Sequence, residues 1–187
     1  MNLDLQVASA LDATDIVRLV NSAYRGDSSR QGWTTEADLL GGQRTDGAAI
    51  EEFIEAPLSQ RAMLLHRSNT GELLACVQLE RRPVDAYLGM LTIHPQHQAA
   101  GLGRQLLVGA EEFVQTHWGA KQIAMTVIEQ RGELIAWYER RGYQRSGETA
   151  AFPYGNLRFG EPKRPDLRFI VLHKTLNNVH DSVMAAP

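Results

Sequence analysis

The stretch Leu88-Gly-Met-Leu-Thr-Ile-His-Pro-Gln-His-Gln-Ala-Ala-Gly-Leu-Gly-Arg-Gln-Leu-Leu107 decides the fold. Residues 88–93 are apolar apart from Thr92, and the run is short enough for a buried strand. His94-Pro95 ends that strand, because proline brings no backbone donor to a ladder. Gln98 to Gly103 then read as a loop feeding directly into a helix. The first N–H groups of a helix have no partner within it, and the positive end of the dipole lies behind them. Such a loop can hold an anion. Gly101 and Gly103 carry no Cβ, so an anionic group can approach the backbone closely. Two common phosphate loops are excluded. No Gly-Lys-Ser/Thr follows, so this is no Walker A loop, and Leu106 stands where the dinucleotide fingerprint needs its third glycine.

Size and composition narrow the class. A chain of 187 residues predicts one domain with a substantial core. Apolar residues at 43% and charged residues at 22% are ordinary for a globular protein. A net charge of −3 and the lack of a long basic run argue against a nucleic-acid partner. No apolar run is long enough to span a bilayer, and the first residues lack a signal-peptide layout. The single cysteine, Cys76, cannot form an internal disulfide, which points to the cytoplasm.

Outward from the central stretch, periodicity gives the remaining elements. Leu3 to Ala8 alternates as a strand. Asp12, with Asp15 three residues on, is placed to cap a helix carrying Ile16, Val20, Ala23 and Tyr24 on one face. Polar residues 25–32 break it. Thr35 with Asp38 predicts a short helix that Gly41-Gly42 ends, and Asp46 starts another. Ala62–His66 and Leu73–Glu80 read as a hairpin about Ser68-Asn-Thr-Gly71. After the central loop come a helix up to Gly119, a strand over Lys121–Ile128 and a helix over Gly132–Arg141. Strands over Tyr143–Glu148 and Leu167–Thr175 flank a long loop, 150–166, of the kind that often carries function. Strand–helix–strand order implies a parallel, right-handed crossover. One domain is expected over residues 1–176, with 177–187 as a flexible tail.

A strand ending Leu91-x-Ile93-x-Pro95, then Gln98-x-x-Gly101-x-Gly103 and a helix, resembles motif A of the GCN5-related N-acetyltransferases (GNAT). The element order β-α-α-β-β-β-α-β-α-β-β is similar to theirs over nearly the whole chain. The resemblance implies their α/β fold: a mostly antiparallel central sheet with one splayed parallel strand pair, flanked by helices. It implies acetyl-CoA as acetyl donor, with its pyrophosphate on the amides of Gln98, Ala99, Ala100, Gly101, Leu102, Gly103 and Arg104. The residues themselves support no metal site and no serine or cysteine nucleophile, so direct attack without an acyl-enzyme is expected. Members often form a homodimer through their last strands, and nothing in this sequence decides whether this chain does.

Leu134-Ile-Ala-Trp-Tyr-Glu-Arg-Arg-Gly-Tyr143 resembles motif B of the same family. Tyr138 matches the tyrosine that faces the coenzyme sulfur there. A free thiol has a pKa near 8.5 and tyrosine near 10, so full proton transfer from Tyr138 is uphill by about 2 kcal/mol. A hydrogen bond to the thiolate is the expected role. The resemblance places the donor to the thioester carbonyl at the Leu91 amide, with Ile93 contacting the coenzyme arm through its backbone. Arg131 lies where many members have a coenzyme-contacting asparagine, which leaves its role open.

Deprotonating a lysine-like amine costs about 4–5 kcal/mol at neutral pH, so a base or water chain is expected. Glu80, Asp85, Glu129 and His94 are the candidates, and none falls on a family motif. His94 and His97 at a spacing of three, with no carboxylate cluster, do not make a zinc site. Cys76, mid-strand, reads as a small apolar residue. The acceptor is expected between the segment carrying Tyr24, Trp33 and Glu36 and the later loop carrying Phe152, Tyr154, Asn156 and Arg158. Aromatics with a carboxylate suit an ammonium group. A small-molecule or amino-acid-like amine is the expected acceptor. The alternatives are a protein lysine or N-terminus, and a sensor that binds acyl-CoA without catalysis.

Overall fold

The computed structural model describes residues 3–98 and 100–176. Ala99 and the expected tail from residue 177 lie outside them. In chain order the elements are β1 (Gln6–Val7), α1 (Ala13–Tyr24), α2 (Gly26–Ser29), β2 (Leu40–Gly41), α3 (Gly47–Ile54), β3 (Arg61–Arg67), β4 (Leu73–Arg81) and β5 (Ala86–Ile93). Then come α4 (Leu102–Trp118), β6 (Gln122–Ile128), α5 (Gly132–Glu139), β7 (Gln144–Ala151), β8 (Glu161–Pro162) and β9 (Arg168–Thr175).

Seven strands form one sheet in the order β1-β3-β4-β5-β6-β9-β7. Every pair is antiparallel except β5–β6, which is parallel. Helices cover both faces, so the central strands read as nearly continuous apolar runs rather than alternating ones. The alternation is still present, between two cores. Ala62 and Leu64 of β3 and Ala75, Val77 and Leu79 of β4 pack in the cluster that holds Leu106, Ala110 and Val114 of α4. Met63, Leu65, Leu73 and Cys76 pack in the other, with Ile16 and Val20 of α1 and Ile50 and Phe53 of α3.

The parallel pair is barely a pair. β5 and β6 share only Ala86↔Ile123 and Tyr87↔Ala124 before they separate. On the other side of β5, Gln78↔Gly89 is followed by Cys76↔Thr92, so Met90 and Leu91 bulge opposite Val77. Met90 takes φ +50°, a left-handed conformation that a long side chain adopts only where its surroundings impose it.

Several expected elements differ. Pairing near the N-terminus is limited to Gln6 and Val7, opposite Leu65 and Leu64. Asp12 stands before α1 without a capping bond and, with Asp15, instead holds Arg67 at 2.7 and 3.1 Å. The polar break after α1 contains the four-residue α2. No helix forms around Thr35 to Asp38; Glu36 to Leu40 makes a turn, and the Glu36 side chain is drawn to two arginines. The long loop 150–166 is tied down by β8, which pairs with β2. At that junction a Cβ on Gly160 (φ +91°) would lie 2.7 Å from the Gly41 carbonyl oxygen, so only glycine fits.

Leu106 is fully buried between α4 and the sheet. Leu106→Ala is expected to lower stability by about 2–5 kcal/mol through lost transfer energy and the cavity left behind. Urea unfolding followed by far-UV circular dichroism measures the shift.

Candidate active site

The bulge and the separation of β5 from β6 open a cavity on each side of Leu91. The first, of about 180 Å³, lies toward the start of α4 and includes Ile93, Gln98, Gly101, Gly103 and Arg104 in its lining. Gly101 precedes the helix at φ +83°, a conformation costly for any residue with a Cβ. The first turn of α4 holds no acidic residue, so nothing within it competes with an incoming anion. The Arg104 and Gln105 amides donate to the Gly101 carbonyl at 3.1 and 3.2 Å. The first amides of a helix have no partner within it, and Arg104 reaches the cavity as a lining residue.

Gln98 acts locally. Its Oε1 accepts from the Trp33 amide at 3.0 Å and its Nε2 donates to the Ile93 carbonyl at 3.3 Å. It thereby staples the loop of residues 30–35 to the end of β5. Trp33 is placed on this first cavity, 6.5 Å from the Trp137 ring, rather than on the acceptor side where it was expected. The Arg141 guanidinium stacks over Trp137 at 3.6 Å and donates to the Trp137 carbonyl at 2.7 Å. Burial, together with the charges of Arg140 and Arg104, holds Arg141 below its ordinary value. These three arginines line a groove that continues from the cavity along α4. Its one carboxylate, Glu111, is taken by Lys174 at 2.7 Å and the Tyr143 hydroxyl at 3.1 Å. The groove therefore has uncompensated positive charge.

The second cavity, of about 150 Å³, lies between the separated strands and the two loops that β2 and β8 join. Tyr24, Leu91, Arg131, Leu134 and Tyr138 line both cavities. The Tyr24 hydroxyl donates to the Leu91 carbonyl at 2.9 Å. Neither Met90 nor Leu91 has a cross-strand partner in the β4 or β6 ladder. Tyr138 is 5% exposed, and burial pushes its phenol well above the ordinary tyrosine value. Its proton is accordingly held firmly and is available for donation in a hydrogen bond.

Arg131 is not a solvent-facing residue. Its Nη1 bonds Glu36 Oε1 at 2.8 Å and its Nη2 bonds Thr34 Oγ1 at 2.9 Å. The other Glu36 oxygen accepts from Arg25. The side chains of Arg25, Glu36 and Arg131 are 5%, 8% and 10% exposed, so this is a buried ion triad. Burial works to raise Glu36, but Arg131, Arg25 and Arg44 outweigh it and hold the carboxyl below the usual range.

Tyr154 lies outside both cavities. Its hydroxyl donates to the Arg164 carbonyl at 3.0 Å and accepts from the Leu167 amide at 2.7 Å, closing its own loop. Asn156 is exposed, and its side-chain oxygen accepts from the Arg158 amide at 3.1 Å. None of the four candidate bases lines either cavity. Glu80 faces Arg61 and Arg82, and Glu129 pairs with Arg168. The site residues that sequence reasoning missed are Arg25, Arg44, Trp137 and Arg141. Arg141 stands three residues beyond Tyr138, a helical spacing that could have revealed it; nothing local marks Arg25 or Arg44. Among the described residues no group of three or more His, Cys, Asp or Glu is placed to hold a metal.

Because the folded state holds the Glu36 carboxyl low, its stabilising contribution is complete above the unfolded glutamate value of about 4.3. It is lost as pH falls through the depressed folded value. Glu36→Gln is expected to destabilise the protein by about 3–5 kcal/mol, since two buried guanidiniums lose their shared anion. The variant should also show a shallower fall of the urea midpoint below pH 4.5, measured beside the wild type.

Residues 30–153 match the acetyltransferase (GNAT) domain family. A comparison with curated proteins found no match. Solved structures with the same fold include a spermidine N-acetyltransferase SpeG mutant from Vibrio cholerae, at 17% identity and TM-score 0.66, covering 96% of this chain and 99% of that one. The ribosomal-protein-S18-alanine N-acetyltransferase from Escherichia coli superposes at 13% identity and TM-score 0.66, covering 93% and 94%. Nourseothricin acetyltransferase matches at 18% identity and TM-score 0.54, covering 63% of this chain and 66% of that one. At these identities the likeness establishes the fold. With two thirds of its length matched by the family, the chain belongs to the GNAT acetyltransferases and is an N-acetyltransferase.

Proposed function

We propose that this enzyme moves an acetyl group from acetyl-CoA directly to the amine of a small acceptor, with donor and acceptor meeting between the two cavities. The observation that carries this reading is their shared wall. Leu91 and Tyr138 border both cavities, so a group from each side can meet beside them.

The donor side fits acetyl-CoA in its chemistry. Open amides at the start of α4 and the Arg104, Arg140 and Arg141 charges suit its phosphates. Trp33 and Trp137 offer apolar faces for its arm. The molecule supplies the thioester, and the chain does the rest. The Leu91 amide, freed by the bulge, donates to the carbonyl oxygen as charge develops there. The acceptor nitrogen forms the C–N bond as the C–S bond breaks, and the Tyr138 hydroxyl donates to the departing sulfur. Burial makes complete proton transfer from Tyr138 less favourable still, which supports stabilisation by hydrogen bond. Among the described residues no unpaired carboxylate or imidazole lines either cavity, and the ammonium proton leaves to water.

A small acceptor is favoured over a protein chain because β2–β8 joins the two loops that line the acceptor cavity. Lys163 reinforces the joint, its amide bonding the Leu39 carbonyl at 2.9 Å. The Cys76 thiol, raised to about 12 by burial, takes no part.

Purified protein with acetyl-CoA is expected to release free thiol when amines, amino acids and polyamines are screened. Tyr138→Phe should lower kcat by about 10²-fold or more while KM for acetyl-CoA stays near the wild-type value. Undiminished turnover in that variant removes Tyr138 from the reaction.

A further inference from the structure

The acceptor cavity has a marked charge imbalance. Three guanidiniums line it, from Arg25, Arg44 and Arg131, against one carboxylate, Glu36. That carboxylate is fully engaged, with one oxygen on Arg25 and the other on Arg131. It is not free to receive an ammonium group. Arg44 forms no ion pair among the described residues. It rests over the Tyr24 ring at 5.5 Å, and Arg131 lies over the same ring at 5.8 Å. Two further donors in this wall, Arg25 Nε and Arg131 Nε, are buried without a hydrogen-bond partner among the described residues. Buried donors of this kind are rare unless a ligand or water completes them.

Aromatic side chains line the same cavity. Phe152 stands 5.5 Å from Phe169 and 6.5 Å from Phe159, with Ile128 in the same cluster, and the Phe159 carbonyl accepts from Arg25 Nη2 at 3.4 Å. The cavity thus combines guanidinium and aromatic side chains in one wall, with Leu91 and Tyr138 on the wall shared with the donor side.

We propose that the acceptor is an amino acid with an apolar side chain, its carboxylate read by Arg44 beside Arg131 and Arg25 and its side chain seated among the three phenylalanines. The inference rests on the acetyltransferase reading above. A carboxylate adds the anion that the surplus guanidinium lacks, with the fork geometry that arginine favours. The same positive charge disfavours the ammonium form of the neighbouring amine and so assists its deprotonation where no base lines the cavity. A polycation meets like charge there instead, so polyamines are disfavoured.

The test measures thiol release with phenylalanine, leucine and methionine against their decarboxylated amines and against spermidine. The expected kcat/KM is at least tenfold higher for each amino acid than for its matched amine, and spermidine is the poorest acceptor. Arg44→Ala should shrink the ratio of amino acid to matched amine at least tenfold, chiefly through the amino acid's KM, and Arg44→Lys should restore part of it. A thermal melt on each variant separates this from unfolding. Equal use of amino acids and matched amines, preference for spermidine, or an unchanged ratio in Arg44→Ala overturns the carboxylate assignment and leaves N-acetylation intact. Acetyl-CoA binding with no thiol release on any amine overturns the acetyl-transfer reading and this inference with it.

Discussion

The separation of β5 from β6 is the constraint on which the rest of the molecule depends. Two parallel strands that hydrogen bond only at Ala86 and Tyr87 leave a wedge in the sheet from Leu88 onward. A gap in a sheet normally exposes backbone groups that must find other partners. Here the bulge at Met90 and Leu91 turns those groups outward from both ladders, and Tyr24 satisfies the Leu91 carbonyl. The strained φ of Met90 is the local cost of that arrangement, held in place by the two helix-covered cores on either side.

Charge placement follows the wedge. On the donor side, positive charge gathers at the start of α4 and along its groove, where Glu111 is already satisfied. On the acceptor side, the Arg25–Glu36–Arg131 triad joins three distant segments: the end of α1, the turn before β2 and the start of α5. A buried ion triad is weak evidence for stability, because desolvation offsets much of its Coulomb energy. Its clearer effect is positional. It fixes Arg131 between the two cavities and engages both oxygens of Glu36, while Arg44 forms no ion pair among the described residues.

Several candidate residues were legible in the sequence itself. The run Leu88 to Leu107 marked the strand, the loop and the helix start, and Tyr138 followed from its place in the next strand–helix unit. Both residues predicted to meet the thioester, Leu91 and Tyr138, lie on the wall common to the two cavities. Elsewhere residue type misled. Trp33 and Tyr154 looked alike as loop aromatics, yet one faces the donor cavity and the other closes its own loop. Glu36 looked like an ammonium receptor, and its partners decided otherwise.

Sequence alone determined what depends on local stereochemistry and periodicity: the strands of the seven-stranded sheet and most of the helices, glycine at the turn before α4, and the apolar faces that pack into the cores. Tertiary structure alone decided the β2–β8 joint, the buried triad and the charge balance of the acceptor cavity. The physical reason is range. Periodicity is written in neighbouring residues, whereas the electrostatics of a buried site depend on which charges from distant segments share the same desolvated space.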